Sequence, residues 1–210
     1  MTIVSPLHEL LADGALFKRL TVEQYDRMLR DGILEEGEPY ELLDGQVLFK
    51  DRTKAGDDPT TVGDEHILVV QAFVEINPKL KRLGCHVRVQ QPVDLPPHDQ
   101  PEPDAAIVRG DRLRYAGRKP RADDIACVVE VADASLGRDR TGKMRIYAAG
   151  RVPVYVIVNL PDRQVEVYTR PVKGRYAHSE TLTRGQTLSV PVAKGKSLAI
   201  PVKELLPPVA

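Results

Sequence analysis

Residues 125–131 read Ile-Ala-Cys-Val-Val-Glu-Val, a run that is apolar and largely β-branched except for one carboxylate near its end. Such a run fits best in a strand buried on both faces, at the centre of a sheet that other elements cover. Val152 to Leu160 repeats the pattern and predicts a second buried strand. Between the two, helical spacing runs from Arg138 to Ala149 and stops at Gly150. With 210 residues, the chain has room for one domain with a sizeable core. Residues 1–20 have weak periodicity and read as a peripheral lead-in, and 21–210 as a single domain.

The remaining elements fit around that centre. Thr21 is a good N-cap with Gln24 at the capping-box position, and Tyr25, Met28 and Leu29 share one face of a helix that Gly32 ends. Tyr40 to Leu48 reads as a hairpin, because Asp44-Gly45 suits a type I′ turn. Residues 50–63 are polar and predict a mobile loop. Asp64 is expected to cap an apolar helix reaching Asn77, where Pro78 interrupts or kinks it. Cys85 to Val93 alternates as a strand, with Cys85, Val87 and Val89 on one face, and Ala105 to Val108 is a short strand. Pro161-Asp162-Arg163 turns the chain into a strand from Gln164 to Thr169. Strands near Tyr176 to Leu182 and Ser197 to Ile200 are expected to extend the sheet, and Val202 to Leu206 to form a last helical turn. The expected fold class is α/β or α+β, a mixed central sheet flanked by helices.

Composition excludes several classes. The apolar runs are far shorter than a bilayer span, and no secretory signal pattern opens the sequence. Cys85 and Cys127 make neither a disulfide framework nor a zinc motif, so a cytoplasmic protein with reduced thiols is expected. Thirty basic and thirty acidic residues balance, leaving no global attraction to a phosphate backbone. Nucleic-acid contact would need a local patch, and the candidate holds Arg109, Arg112, Arg114, Arg118, Lys119 and Arg121 against Asp111. A solvated loop is the competing reading. No G-x-S-x-G, P-loop or G-x-G-x-x-G is present, which removes the usual serine hydrolase, NTPase and dinucleotide readings.

Chemistry concentrates at three places. Glu130 ends the most apolar strand, where a carboxylate is costly unless paired, protonated or bound to a cation. It also stands at a strand's carboxyl end before a helix, where ligand crevices form in α/β sheets. Reaching water or an Arg at the rim is the alternative. Asp104 follows Pro103 at the start of a strand, either presented rigidly or as an ordinary turn acid. Asp139, Lys143 and Tyr147 recur at spacings of four on the helix after Glu130. By themselves Asp139 and Lys143 would be a weak exposed pair. A lysine one turn into that helix can nevertheless reach back to the crevice at Glu130.

In order and spacing these motifs resemble the PD-(D/E)XK nuclease superfamily, and more closely the Uma2 family of restriction endonuclease-like proteins. The likeness rests on Tyr40 to Gly45, Pro101-Glu102-Pro103-Asp104, Val128 to Val131, Asp139 with Lys143 and Tyr147, and Gly150 to Val158. It covers roughly residues 20–170. The superfamily's lysine usually lies two residues after the second acid, where this chain has Ala132. The resemblance implies that Lys143 fills that role from the next helix.

It further implies a restriction endonuclease-like fold and a metal-dependent endonuclease acting on nucleic acid, with DNA the expected substrate. Mg²⁺, with Mn²⁺ able to substitute, would be held by Asp104, Glu130 and the Val131 carbonyl. Catalysis would fall to Asp104, Glu130, Lys143 and Glu41, supported by Asp139, Tyr147 and His66, with His66 equally readable as a solvent-facing first-turn residue. Arg109, Arg112, Arg114, Arg118 and Lys119 would contact nucleic acid, and a homodimer with no membrane association is expected. A catalytically silent binding or interaction module on the same scaffold is the alternative. Hydrolysis of a small phosphodiester is a third reading.

Overall fold

The computed structural model describes residues 18–35, 37–49, 63–193 and 195–208. The predicted loop at 50–63 therefore lies outside the described residues apart from Gly63, as does most of the lead-in.

The apolar run forms strand β5 (Ile125–Ala132), buried at every position. Around it lie β3 (Cys85–Val89), β4 (Ala105–Arg109), β6 (Val154–Asn159), β7 (Gln164–Val172) and β8 (Arg175–Leu182). They make one six-stranded sheet in the order β3-β4-β5-β6-β7-β8. Every neighbouring pair is antiparallel except β5 and β6, which run parallel. The crossover joining that parallel pair is the predicted helix. The mixed sheet flanked by helices agrees with the expected class.

Period-two alternation separates two cores. Val87, Ile107, Cys127, Val129 and Val131 face one core, shared with helix α2 (Asp64–Glu75) through Val69 and Phe73. Ala106, Val108, Val128 and Ala132 face the other, with Tyr115, Tyr147 and Tyr155. Full burial of such residues at about 25 cal/mol per Å² of apolar area is the main stabilising term.

Several boundaries differ from expectation. Gly63, not Asp64, is the N-cap of α2, and the helix ends at Glu75. A second helix, α3 (Asn77–Arg82), begins at once with Pro78 in its first turn, where a missing N–H has no cost. β3 stops at Val89, because Gln90 turns the chain with φ of 47°. β7 runs on to Val172, beyond the expected Thr169. The largest departure concerns the C-terminal strands. Residues 197–200 do not extend the sheet: β10 (Lys196–Pro201) pairs only with β9 (Thr187–Ala193), in a separate hairpin. Sequence reading missed β9, although Leu188, Val190 and Val192 alternate inward and fill the α2-side core. Helix α6 (Val202–Leu205) follows β10.

The N-terminal layer follows the sequence closely. Helix α1 (Val22–Arg30) carries the full Thr21–Gln24 capping box, and β1 (Tyr40–Leu43) pairs with β2 (Gln46–Phe49). Asp44 and Gly45 have φ of 51° and 74°, the double positive φ of a type I′ turn. A Cβ at Gly45 would also lie 2.5 Å from Arg19 Cβ. Gly45→Val is therefore expected to destabilise the protein by about 1–3 kcal/mol, read as a lower urea midpoint with an unchanged m-value. An unchanged midpoint would show that the turn relaxes freely.

Candidate active site

β4 and β5 are paired with Ala105 opposite Val129. Asp104 immediately precedes β4, one step beyond the last pair of this ladder and close to Glu130 and Val131 of β5. The Val131 N–H donates to Asp104 Oδ2 at 2.8 Å. Because a strand residue's N–H and C=O point to the same side, the Val131 carbonyl is directed towards Asp104 as well. His66, in the first turn of α2, places Nε2 3.1 Å from Asp104 Oδ1. Burial pushes the Asp104 carboxyl up, but His66, the Val131 N–H and Lys143 outweigh it and hold it below its ordinary value. Asp104 is thus an ionised acid at neutral pH.

The helix after Glu130 differs from a plain α-helix. It consists of α4 (Leu136–Arg138), a π-helical turn (Asp139–Lys143) and α5 (Met144–Ala149), capped at Gly150. It starts two residues before the expected Arg138, and π turns of this kind are frequent at functional sites. Its inner face buries Asp139, Lys143 and Tyr147, at 2%, 3% and 0% exposure. Lys143 Nζ donates to Glu130 Oε1 at 2.9 Å and lies 3.4 Å from Glu41 Oε1. The Tyr147 hydroxyl donates to the same Glu130 oxygen at 2.6 Å. Burial foremost, then the Glu130 charge, raises the Tyr147 phenol well above its ordinary value. Tyr147 is therefore a fixed donor rather than a base. Glu41 comes from β1, whose neighbour Leu42 bridges to Gln100 and so ties the hairpin to the segment leading into Asp104. Asp139 does not touch Lys143's ammonium among the described hydrogen bonds; its Oδ2 accepts from Ser135 at 2.6 Å and its carbonyl from the Tyr155 hydroxyl at 3.1 Å.

The structure therefore brings Glu41, Asp104, Glu130, Lys143, Tyr147 and His66 to one end of the sheet. The basic segment lies elsewhere. Arg109 is five residues along β4 from Asp104, which at about 3.4 Å per residue is roughly 17 Å. Arg109 donates to the carbonyls of Val192, Asp123 and Ile125. Arg114 and Arg118 both hold Asp124, and Lys119 holds Asp26. Of the five residues expected to contact nucleic acid, Arg112 alone has no such partner among the described residues.

Sequence reading also missed a clamp beneath the π turn. Arg140 donates twice to Glu166 of β7, at 3.1 and 2.5 Å, and Asn159 and Tyr168 donate to the same carboxylate. The only signal was Glu166 within the alternating run Gln164-Val165-Glu166-Val167, which reads equally well as a solvated face. Its exposure is 4%.

Among the described residues, no group of three or more His, Cys, Asp or Glu side chains is arranged to cage a metal. A hydrated Mg²⁺ asks for less, since it keeps several waters and takes one or two carboxylates. The neighbouring Asp104 and Glu130, with the Val131 carbonyl on the same side as the Asp104 contact, are hard oxygen donors of that kind. The donor set fits Mg²⁺ or Mn²⁺ chemically.

Acid should weaken the clamp. Burial raises the Glu166 carboxyl, but Arg140, Tyr168 and Asn159 hold it down at about 2, and the hydrogen bond from Arg118 leads in holding Asp124 at about 2. A carboxyl whose folded value lies below its unfolded one adds stability that is complete above the unfolded value and lost as pH falls through the folded one. Asp139, raised by burial, works in the opposite direction. Urea unfolding is expected to show stability falling as pH drops from about 4.5 towards 2, and Glu166→Gln should make that fall shallower. Equal pH slopes in the two proteins would exclude the clamp.

Comparison with known proteins agrees with this fold. A structure described as a putative nuclease belonging to DUF820 from Anabaena variabilis ATCC 29413 shares the fold, with a TM-score of 0.65, 15% identity, and coverage of 89% of this chain and 97% of that one. No curated protein matches the chain. Over residues 22–202 the sequence matches the model of the family described as "Putative restriction endonuclease", and the chain belongs to this Uma2 family.

Proposed function

We propose that the protein is a divalent-metal-dependent endonuclease that hydrolyses phosphodiester bonds in DNA. The observation that carries this reading is the hydrogen bond that ties Asp104 to Val131, the residue after Glu130, with Lys143 bonded to Glu130 from the following helix. The family and the fold neighbour support nuclease chemistry; the metal, the DNA substrate and the residue roles belong to the proposal.

Asp104, Glu130 and the Val131 carbonyl would hold the cation. When bound, it supplies Lewis-acid polarisation of the phosphate and a water of lowered pKa. The protein's own groups do the positioning. The Val131 N–H and His66 fix the Asp104 carboxylate, so an ionised oxygen ligand is ready without reorganisation. Tyr147 and Lys143 meet at Glu130 Oε1 and fix that carboxylate's orientation. Lys143 is the one ammonium beside these acids among the described ion pairs, and Glu41 shares it. A buried ammonium there can orient the attacking water or stabilise charge growing on the phosphate oxygens. Lys143 thus fills, from the π turn, the place of the lysine absent at Ala132.

Purified protein with Mg²⁺ or Mn²⁺ should nick plasmid DNA, and Asp104→Ala, Glu130→Ala and Lys143→Ala should each abolish nicking, a loss of about 10²-fold or more. Tyr147→Phe should retain the fold and lose less activity. Calorimetric titration with Mn²⁺ should show binding that Asp104→Ala removes. DNA binding without cleavage under any divalent metal would establish the silent-module reading instead.

A further inference from the structure

A cavity of about 710 Å³ opens at the outer edge of β3, lined by residues including Asn77, Lys81, His86, Gly110, Arg112 and Leu113. It lies at the opposite end of the sheet from Asp104. Gly110 is six residues beyond Asp104, which at about 3.4 Å per residue is roughly 20 Å. The cavity is therefore separate from the catalytic centre.

Its polar groups are set by the fold. Asn77 Oδ1 accepts the Val87 N–H at 3.0 Å; the amide nitrogen, a donor, is left for the cavity. His86 Nδ1 lies 2.8 Å from the Gly110 carbonyl. A carbonyl only accepts, so Nδ1 carries the proton and the ring is held in a fixed orientation at the cavity wall. His86 itself is 8% exposed and rests against the Tyr115 ring. Lys81 and Arg112 add two cations, and neither pairs with a carboxylate among the described residues. The one acid in the lining, Asp111, turns its Oδ1 to the N–H groups of Leu113 and Arg114. Lys79 and Arg82 stand exposed on the same short helix, α3. In a chain of zero net charge, this is a local excess of cations around a concave site with oriented hydrogen-bonding groups.

We propose that this cavity binds a phosphate group, with Lys81 and Arg112 supplying charge and, with the Asn77 amide, the donated hydrogen bonds, beside the His86 ring. The phosphate can belong to a nucleic-acid backbone or to a free phosphorylated molecule. The first source rests on the nuclease reading: at a rise of about 3.4 Å per base pair, 20 Å separates this contact from the cut by about six base pairs. The phosphate chemistry itself does not depend on that reading.

The test uses the full chain and the double variant Lys81→Ala/Arg112→Ala, whose side chains belong to neither core. Inorganic phosphate, titrated while imidazole NMR resonances are followed, should shift His86 in the parent protein and not in the variant. No His86 shift, or an equal shift in both proteins, overturns the proposal. A duplex of about 20 base pairs, titrated across a salt series, identifies the source. A backbone phosphate predicts that the slope of log K against log salt falls by about 1.8 in the variant, two contacts at about 0.9 each. An unchanged slope with the phosphate shift lost assigns the site to a free phosphorylated ligand. If the parent protein binds no duplex at all, the nuclease reading fails while the phosphate titration still decides the cavity.

Discussion

Glu130 is 3% exposed at the end of a strand with no other polar side chain between Ile125 and Ala132. Taking a carboxylate out of water at that depth costs several kcal/mol unless partners replace the lost hydration. Lys143 and Tyr147 are those partners, and both come from the segment that must cross the sheet to bring β6 parallel to β5. One electrostatic requirement therefore couples the position of the crossover to the depth of the central strand. Glu41 enters through the same ammonium, which links the N-terminal hairpin to the arrangement.

The acid pair is defined by the sheet that carries it. Glu130 lies in β5 and Asp104 directly before its neighbour β4, so their relative placement follows largely from ladder register. Sites on regular elements hold their geometry more tightly than sites on loops. The clamp of Arg140 on Glu166 does the corresponding work for the π turn by anchoring it to β7.

Much of this was legible in the sequence, because the controlling signals are local. The burial of Ile125 to Val131, the Asp44-Gly45 turn and the Thr21 capping box each rest on a few adjacent residues, and each was found where expected. Lys143 was reachable because a helix must return over the strand that precedes it. Other features depend on pairings that no local pattern fixes. Residues 197–200 carry an ordinary strand pattern, and only their partner, β9, decides that they leave the main sheet. The basic segment 109–121 looked available because Asp124 and Asp26, which neutralise much of it, come from outside the charge run or from the distant helix α1. Glu166 was hidden for the same reason, since its arginine lies 26 residues away.

The π turn also bears on how this chain could vary. A π turn can be regarded as an α-helix carrying one extra residue, so the chain here holds a length that its sequence motif does not reveal. Loss of a single residue within the turn would let the segment close as a regular helix, with the faces on either side keeping their present directions. The cost of a deletion therefore depends on where it falls: within the turn it is absorbed, whereas between Lys143 and Tyr147 it would turn the Tyr147 hydroxyl away from Glu130 by about 100°.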